Sequence, residues 1–159
     1  MEKLTGLNES HYKKLVKFAE NEAKKATCLR AKGGAIIIKE GIIIGRGFNS
    51  PAGKSQDCNW DKKLLHNKIV DKTCCQHAER RALDDALDKY NKITLKGSTM
   101  IFARVDNQKN PIYSGLPYCT KCSKDALDLG ISNWVLNHEI GLYIYDAEEY
   151  HNLSRNYGK

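Results

Sequence analysis

Four residues of this chain have the types and spacing of a hydrolytic metal centre. His77 and Glu79 flank a single alanine, Ala78, and Cys119 and Cys122 enclose two residues. Cysteines three apart at the start of a helix share a face and can hold one ion. One imidazole and two thiolates make three protein ligands, which leaves the fourth tetrahedral position of a zinc ion open to water, as in catalytic zinc sites. Zinc lowers the pKa of such water toward about 7. Glu79 is too short a step from His77 to be a comfortable co-ligand, but it can reach the water, take its proton and deliver it to a leaving group. A purely structural zinc clip would leave Glu79 without a task.

These residues need helix starts to hold them. Each helix N-terminus carries partial positive charge and free amides, which favours thiolates there. The chain reads as helical from His77 to Lys89, with Ala78, Arg81, Ala82, Asp85 and Ala86 at helical spacing, and again from Cys119 to Leu129, where Gly130 ends the helix. A first helix is expected from about Ser10 to Ala26, with Ser10 as its N-cap. Gly34–Ile38 and Ile42–Gly47 read as a hairpin turned by Lys39-Glu40-Gly41, and their near-continuous isoleucine implies strands covered on both faces. Further strands are expected at Ser98–Val105, Trp134–Leu136 and Leu142–Tyr145, and a last short helix at Ala147–Leu153. Asp106 to Tyr118 is a loop holding Pro111, Gly115 and Pro117. This order of elements implies a sheet sandwiched between helices.

The 159 residues suit one domain, and 41 % hydrophobic with 28 % charged residues is an ordinary globular balance. No apolar run approaches the roughly 18–20 residues that span a bilayer, and the N-terminus has no signal-peptide core. A cytoplasmic protein without a membrane partner is therefore expected. The net charge of +7 fits anionic ligands, nucleotide or nucleic acid, and equally a lysine-rich solvated surface. In that compartment the six cysteines are better explained by metal or catalysis than by disulfides. Three of them, Cys58, Cys74 and Cys75, lie with His66 in the aperiodic polar stretch from Asn49 to Gln76, which metal could tie down. Trp134 reads as core and Trp60 as packing. Arg30, Lys32 and Arg46 flank the hairpin and could meet a phosphate, though each reads more simply as surface charge, and Arg80 and Arg81 lie on the second helix. Tyr143, Tyr145, Tyr150 and Tyr157 suggest a packed tail or an oligomer contact rather than chemistry.

The order His-x-Glu followed by Cys-x-x-Cys is the signature of zinc nucleobase deaminases, and from about Ser10 to Leu136 the chain resembles the cytidine deaminase superfamily, above all its deoxycytidylate deaminase branch. Cys28-Leu29-Arg30 leading into Gly34-Ala35-Ile36-Ile37, the loop Gly47-Phe48-Asn49-Ser50-Pro51 and His77-Ala78-Glu79 carry the likeness. It departs at Tyr118, which stands between Pro117 and Cys119 where the family has proline directly before cysteine, and in the longer loop from Asp106 to Tyr118. The resemblance implies a three-layer α-β-α sandwich of cytidine deaminase-like type with a central mixed sheet of about five strands. It implies a single deaminase domain over residues 1–159 with a Cys/His-rich zinc-binding insertion at about 49–76. Asn49 would contact the sugar and base, with Ala78 beside it as a second substrate contact. Members of the branch often hold a second, structural zinc, and Cys28, Cys58, His66 and Cys75 occupy matching regions, with Cys74 able to replace His66. A homo-oligomer is likewise implied.

These lines converge on zinc-dependent hydrolytic deamination of a cytosine nucleotide, dCMP to dUMP. Zinc would be bound by His77, Cys119 and Cys122, and Glu79 would act as proton shuttle. Deamination of free cytidine or deoxycytidine, deamination of a base in RNA or single-stranded DNA, and a non-catalytic zinc-stabilised binding module are the alternatives.

Overall fold

The computed structural model describes residues 1–53, 57–58 and 74–159. Its described elements, in chain order, are β1 (Glu2–Lys3), α1 (Gly6–Ala23), β2 (Lys32–Lys39), β3 (Ile42–Phe48), β4 (Ser50–Pro51), β5 (Cys75–Gln76), α2 (Ala78–Lys89), α3 (Lys92–Leu95), β6 (Thr99–Val105), β7 (Pro111–Ile112), α4 (Thr120–Asp128), β8 (Asn133–His138), β9 (Gly141–Asp146) and α5 (Ala147–Arg155). His66 and Trp60 lie outside the described residues.

The sheet runs β1-β9-β8-β6-β2-β3. Only β6 and β8 are parallel, joined through α4, and the remaining pairs are antiparallel. The expected mixed sheet is present, but it has seven strands rather than about five. The five long ones are those read from the sequence. The additional two, β1 and β7, are two residues each and pair with β9 and with the far end of β6. Two-residue strands carry too little alternation to be seen as a pattern.

The strand period of two sorts the core into layers. Ile36, Ile38, Ile101, Ala103 and Val135 face α1, against Leu15, Val16 and Ala19. Ala35, Ile37, Met100, Trp134 and Leu136 face the other way, against Ala78, Ala82 and Ala86 of α2, Ala126 of α4 and Tyr150 of α5. Six consecutive residues of β2 are buried, as a central strand covered on both faces must be. Helices on both sides of one mixed sheet make the α/β sandwich that the patterning implied.

Close approach of helices to the hairpin depends on glycine. A Cβ on Gly34 would lie 2.1 Å from the Ala19 carbonyl, and one on Gly47 would lie 2.4 Å from both the Ala78 carbonyl and the Ala82 nitrogen. Gly47 therefore sets how near α2, and the residues at its start, come to β3.

Helix α1 begins at Gly6 after Thr5, four residues before the expected Ser10, and ends at Ala23. Its buried face, Leu15, Val16, Ala19 and Ala23, lies in its second half, and its polar first turn carries no such signal. No described helix is long and apolar enough to cross a membrane.

Candidate active site

The two helix starts converge. His77 is the N-cap residue of α2 and Cys119 the N-cap residue of α4. The ligand atoms of His77, Cys119 and Cys122 all lie within 4.8 Å of one another. Cys122 Sγ is 3.4 Å from His77 Nδ1, and the Cys122 backbone N–H donates to Cys119 Sγ at 3.4 Å. Zinc bonds of about 2.3 Å to sulfur and 2.1 Å to nitrogen, at the tetrahedral angle, place donor atoms roughly 3.6–3.8 Å apart. The cluster fits that ion. The Cys119 thiol is pulled down to about 4, first by the hydrogen bond from the Cys122 thiol and then by His77, so a thiolate is available at neutral pH.

Glu79 sits in the first turn of α2, 5 % exposed, and burial raises its carboxyl above the ordinary range. It lines the same cavity as His77 and Cys119, of about 360 Å³, within the usual size of small-molecule sites. The two ligand-bearing helices are tied by Arg80, whose guanidinium bonds Asp84 on α2 and reaches Asp125 on α4 at 3.2 Å. Arg81 donates to the Pro51 carbonyl at 2.7 Å and holds β4 against α2.

Asn49 is brought to the site by the pairing of β4 with β5, which sets Ser50 opposite Gln76 and Pro51 opposite Cys75. Its Oδ1 accepts the Ala78 N–H at 2.8 Å and its Nδ2 donates to the Ala31 carbonyl at 3.3 Å. Asn49 lines the cavity, so it faces the space a substrate would fill. Ala78 is fully buried, and its N–H donates to Asn49 Oδ1.

A second cluster borders the same cavity. The sulfurs of Cys28, Cys58 and Cys75 lie within 4.8 Å of one another. Cys74 Sγ stands 3.4 Å from Cys58 Sγ and 3.5 Å from Cys75 Sγ. All four cysteines singled out in the sequence are thus together, and Cys75 stands two residues before His77.

The basic residues separate by role. Lys32 donates to the carbonyls of Ala26 and Cys28. Arg46 pairs with Glu22 and lies over the Phe18 ring. Arg30 lines the cavity, and so does Arg104, to which the sequence drew no attention. Among the described residues neither has an acidic partner. Strand alternation contains the missed signal: Met100, Phe102 and Arg104 share the face of β6 that looks toward α2. Tyr118, the residue inserted before Cys119, lines the mouth and meets Tyr157 edge to face at 4.8 Å. Tyr150 also lines the cavity, so two of the C-terminal tyrosines, Tyr150 and Tyr157, stand beside the site.

Comparison with known proteins agrees with this geometry. Residues 9–138 match the family profile described as cytidine and deoxycytidylate deaminase zinc-binding region. The fold is similar to the crystal structure of dCMP deaminase from the cyanophage S-TIM5 in complex with dCMP and dUMP, with a TM-score of 0.57, 23 % identity, 81 % of this chain covered and 82 % of that one. The apo form of that phage enzyme gives a TM-score of 0.54 at 24 % identity, covering 77 % of this chain and 78 % of its own. A search of curated proteins returns no match.

Proposed function

The chain belongs to the cytidine and deoxycytidylate deaminase family, as a zinc-dependent deaminase, and from that premise we propose that it converts dCMP to dUMP with release of ammonia. One observation carries the choice of substrate. The cavity that holds His77, Glu79 and Cys119 is also lined by Arg30 and Arg104, two cations without carboxylate partners among the described residues. An anionic group on the substrate would supply what they lack. The bound dCMP and dUMP of the phage enzyme support the same class of ligand.

His77, Cys119 and Cys122 would hold a zinc ion, which would supply the Lewis acid that makes water nucleophilic at neutral pH. The chain's own residues then handle the protons. Water adds to C4 of the pyrimidine, the C4–N bond breaks, and the products are a C4 carbonyl and ammonia. Glu79 takes a proton from the water and passes it to the ring nitrogen, then takes the second proton from the new C4 hydroxyl and delivers it to the departing amine. Its buried position suits both directions of transfer, because burial brings the acid form closer to neutral pH. Asn49 orients the nucleoside from the wall of the cavity.

Cys28, Cys58 and Cys75 hold a second, structural zinc, with Cys74 beside them able to complete the set. His66, the other candidate for the fourth ligand, lies outside the described residues. Such a site would anchor the insertion at about 49–76 and, through Cys75, the approach to His77.

The experiment is ammonia release from dCMP, dCTP, cytidine, deoxycytidine, RNA and single-stranded DNA by the zinc-loaded protein. Turnover highest on dCMP supports the proposal. Turnover only on nucleosides refutes the phosphate-binding role of the arginines, and turnover only on RNA or single-stranded DNA moves the chain to polynucleotide editing.

A further inference from the structure

Tyr150 enters the active site from a segment outside the matched stretch 9–138. It lies on α5, one turn after Ala147, on the buried face of that helix. Its ring stacks on Trp134 with centroids 4.0 Å apart and planes within 14°, and only 3 % of the residue is exposed. That exposure is directed at the cavity shared with Glu79 and Cys119. The hydroxyl makes no hydrogen bond to any described residue. The described side-chain atoms that are sealed from solvent and lack a partner are Arg81 Nε and Trp134 Nε1. The phenol oxygen is not among them, and the residue that carries it lines the cavity.

A buried tyrosine ordinarily finds a partner for its hydroxyl. If Tyr150 served only to stack on Trp134, phenylalanine would do as well and no polar atom would need to face the site. A phenol is un-ionised at neutral pH and can donate its O–H. A cytosine ring offers acceptors at N3 and O2, and its product offers O2 and O4.

Resting on the deaminase reading above, we propose that the Tyr150 hydroxyl donates a hydrogen bond to the pyrimidine ring and fixes the orientation of the base over Glu79. It is a specificity-determining contact supplied by the C-terminal helix, held in place by Trp134 beneath it. Because substrate, transition state and product share the O2 acceptor, a bond from Tyr150 to O2 belongs to binding more than to the chemical step.

Tyr150→Phe removes the hydroxyl and keeps the stack. Titration calorimetry with dUMP and steady-state kinetics on dCMP are measured for both proteins, with zinc content and melting temperature as controls. A neutral hydrogen bond is worth about a factor of ten. The expected result is dUMP affinity about tenfold weaker and KM about tenfold higher, with kcat within about twofold and zinc content unchanged. Affinity and KM within about twofold of the parent overturn the inference, as does a variant that loses zinc or a loss confined to kcat. If the parent turns over dCMP while Tyr150→Phe is unaltered, the inference alone fails. If the parent releases no ammonia from any cytosine monomer, the functional reading fails and the inference with it.

Discussion

The side chain of Asn49 accepts the backbone N–H of Ala78 at 2.8 Å, across 29 positions of sequence. The first N–H groups of a helix have no partner within it, and the N-cap side chain commonly supplies one. Here the N-cap residue is His77, and its side chain makes no cap bond. The remote asparagine satisfies the first-turn amide instead, and the imidazole is left for the metal cluster.

Asn49→Ala leaves that buried amide unsatisfied, at a cost of about 1–3 kcal/mol. Urea denaturation of the zinc-loaded variant should show that loss, together with weaker zinc retention because His77 loses its anchor. Unchanged stability would mean that the bond is replaced by water.

The two cavity arginines separate substrates by charge. Arg104→Ala should raise KM for dCMP about ten- to a hundredfold, the value of a charge-assisted hydrogen bond of about 1.5–3 kcal/mol. KM for deoxycytidine should stay within about twofold, since it has no phosphate to lose. Equal effects on the nucleotide and the nucleoside would remove Arg104 from phosphate recognition.

Elemental analysis should find two zinc ions per chain. His77→Ala should leave the ion of the cysteine cluster, and Cys58→Ser should leave the ion of the His77 cluster. A parent stoichiometry of one would remove the second site.

His138 should make the fold sensitive to acid. Its Nε2 lies 2.6 Å from the Tyr145 hydroxyl, and burial lowers its pKa below the ordinary imidazole value. The neutral form is therefore favoured on folding. The associated stability is fully present above about pH 6.5 and is lost as pH falls through the lower folded-state pKa. Melting temperatures between pH 8 and pH 5 should drop less in His138→Gln than in the parent. Parallel profiles would show that His138 has no part in it.

The metal cluster was legible because its chemistry is local. His77 with Glu79, and Cys119 with Cys122, are short spacings at helix starts, and each start was placed within a residue or so. The four cysteines of the second cluster were legible by type, and the structure brings Cys28, Cys58, Cys74 and Cys75 together through chain reversals that no spacing reveals. Arg104 was overlooked because a lone arginine in a strand resembles surface charge until Met100 and Phe102 fix the face it shares. Tyr150 was overlooked for a different reason: an aromatic at helical spacing packs as core, and only its place in the cavity wall sets it apart. The short strands β1 and β7 exist through pairing, which the sequence does not display.

The central claim is that Glu79 moves protons at the zinc of His77, Cys119 and Cys122. Its most direct test is conversion of dCMP to dUMP by the parent and by Glu79→Ala at matched zinc content. The parent should turn over, and the variant should lose about a hundredfold or more with zinc and fold retained. A variant that turns over at the parent rate, or a parent inactive on every cytosine monomer, would contradict it.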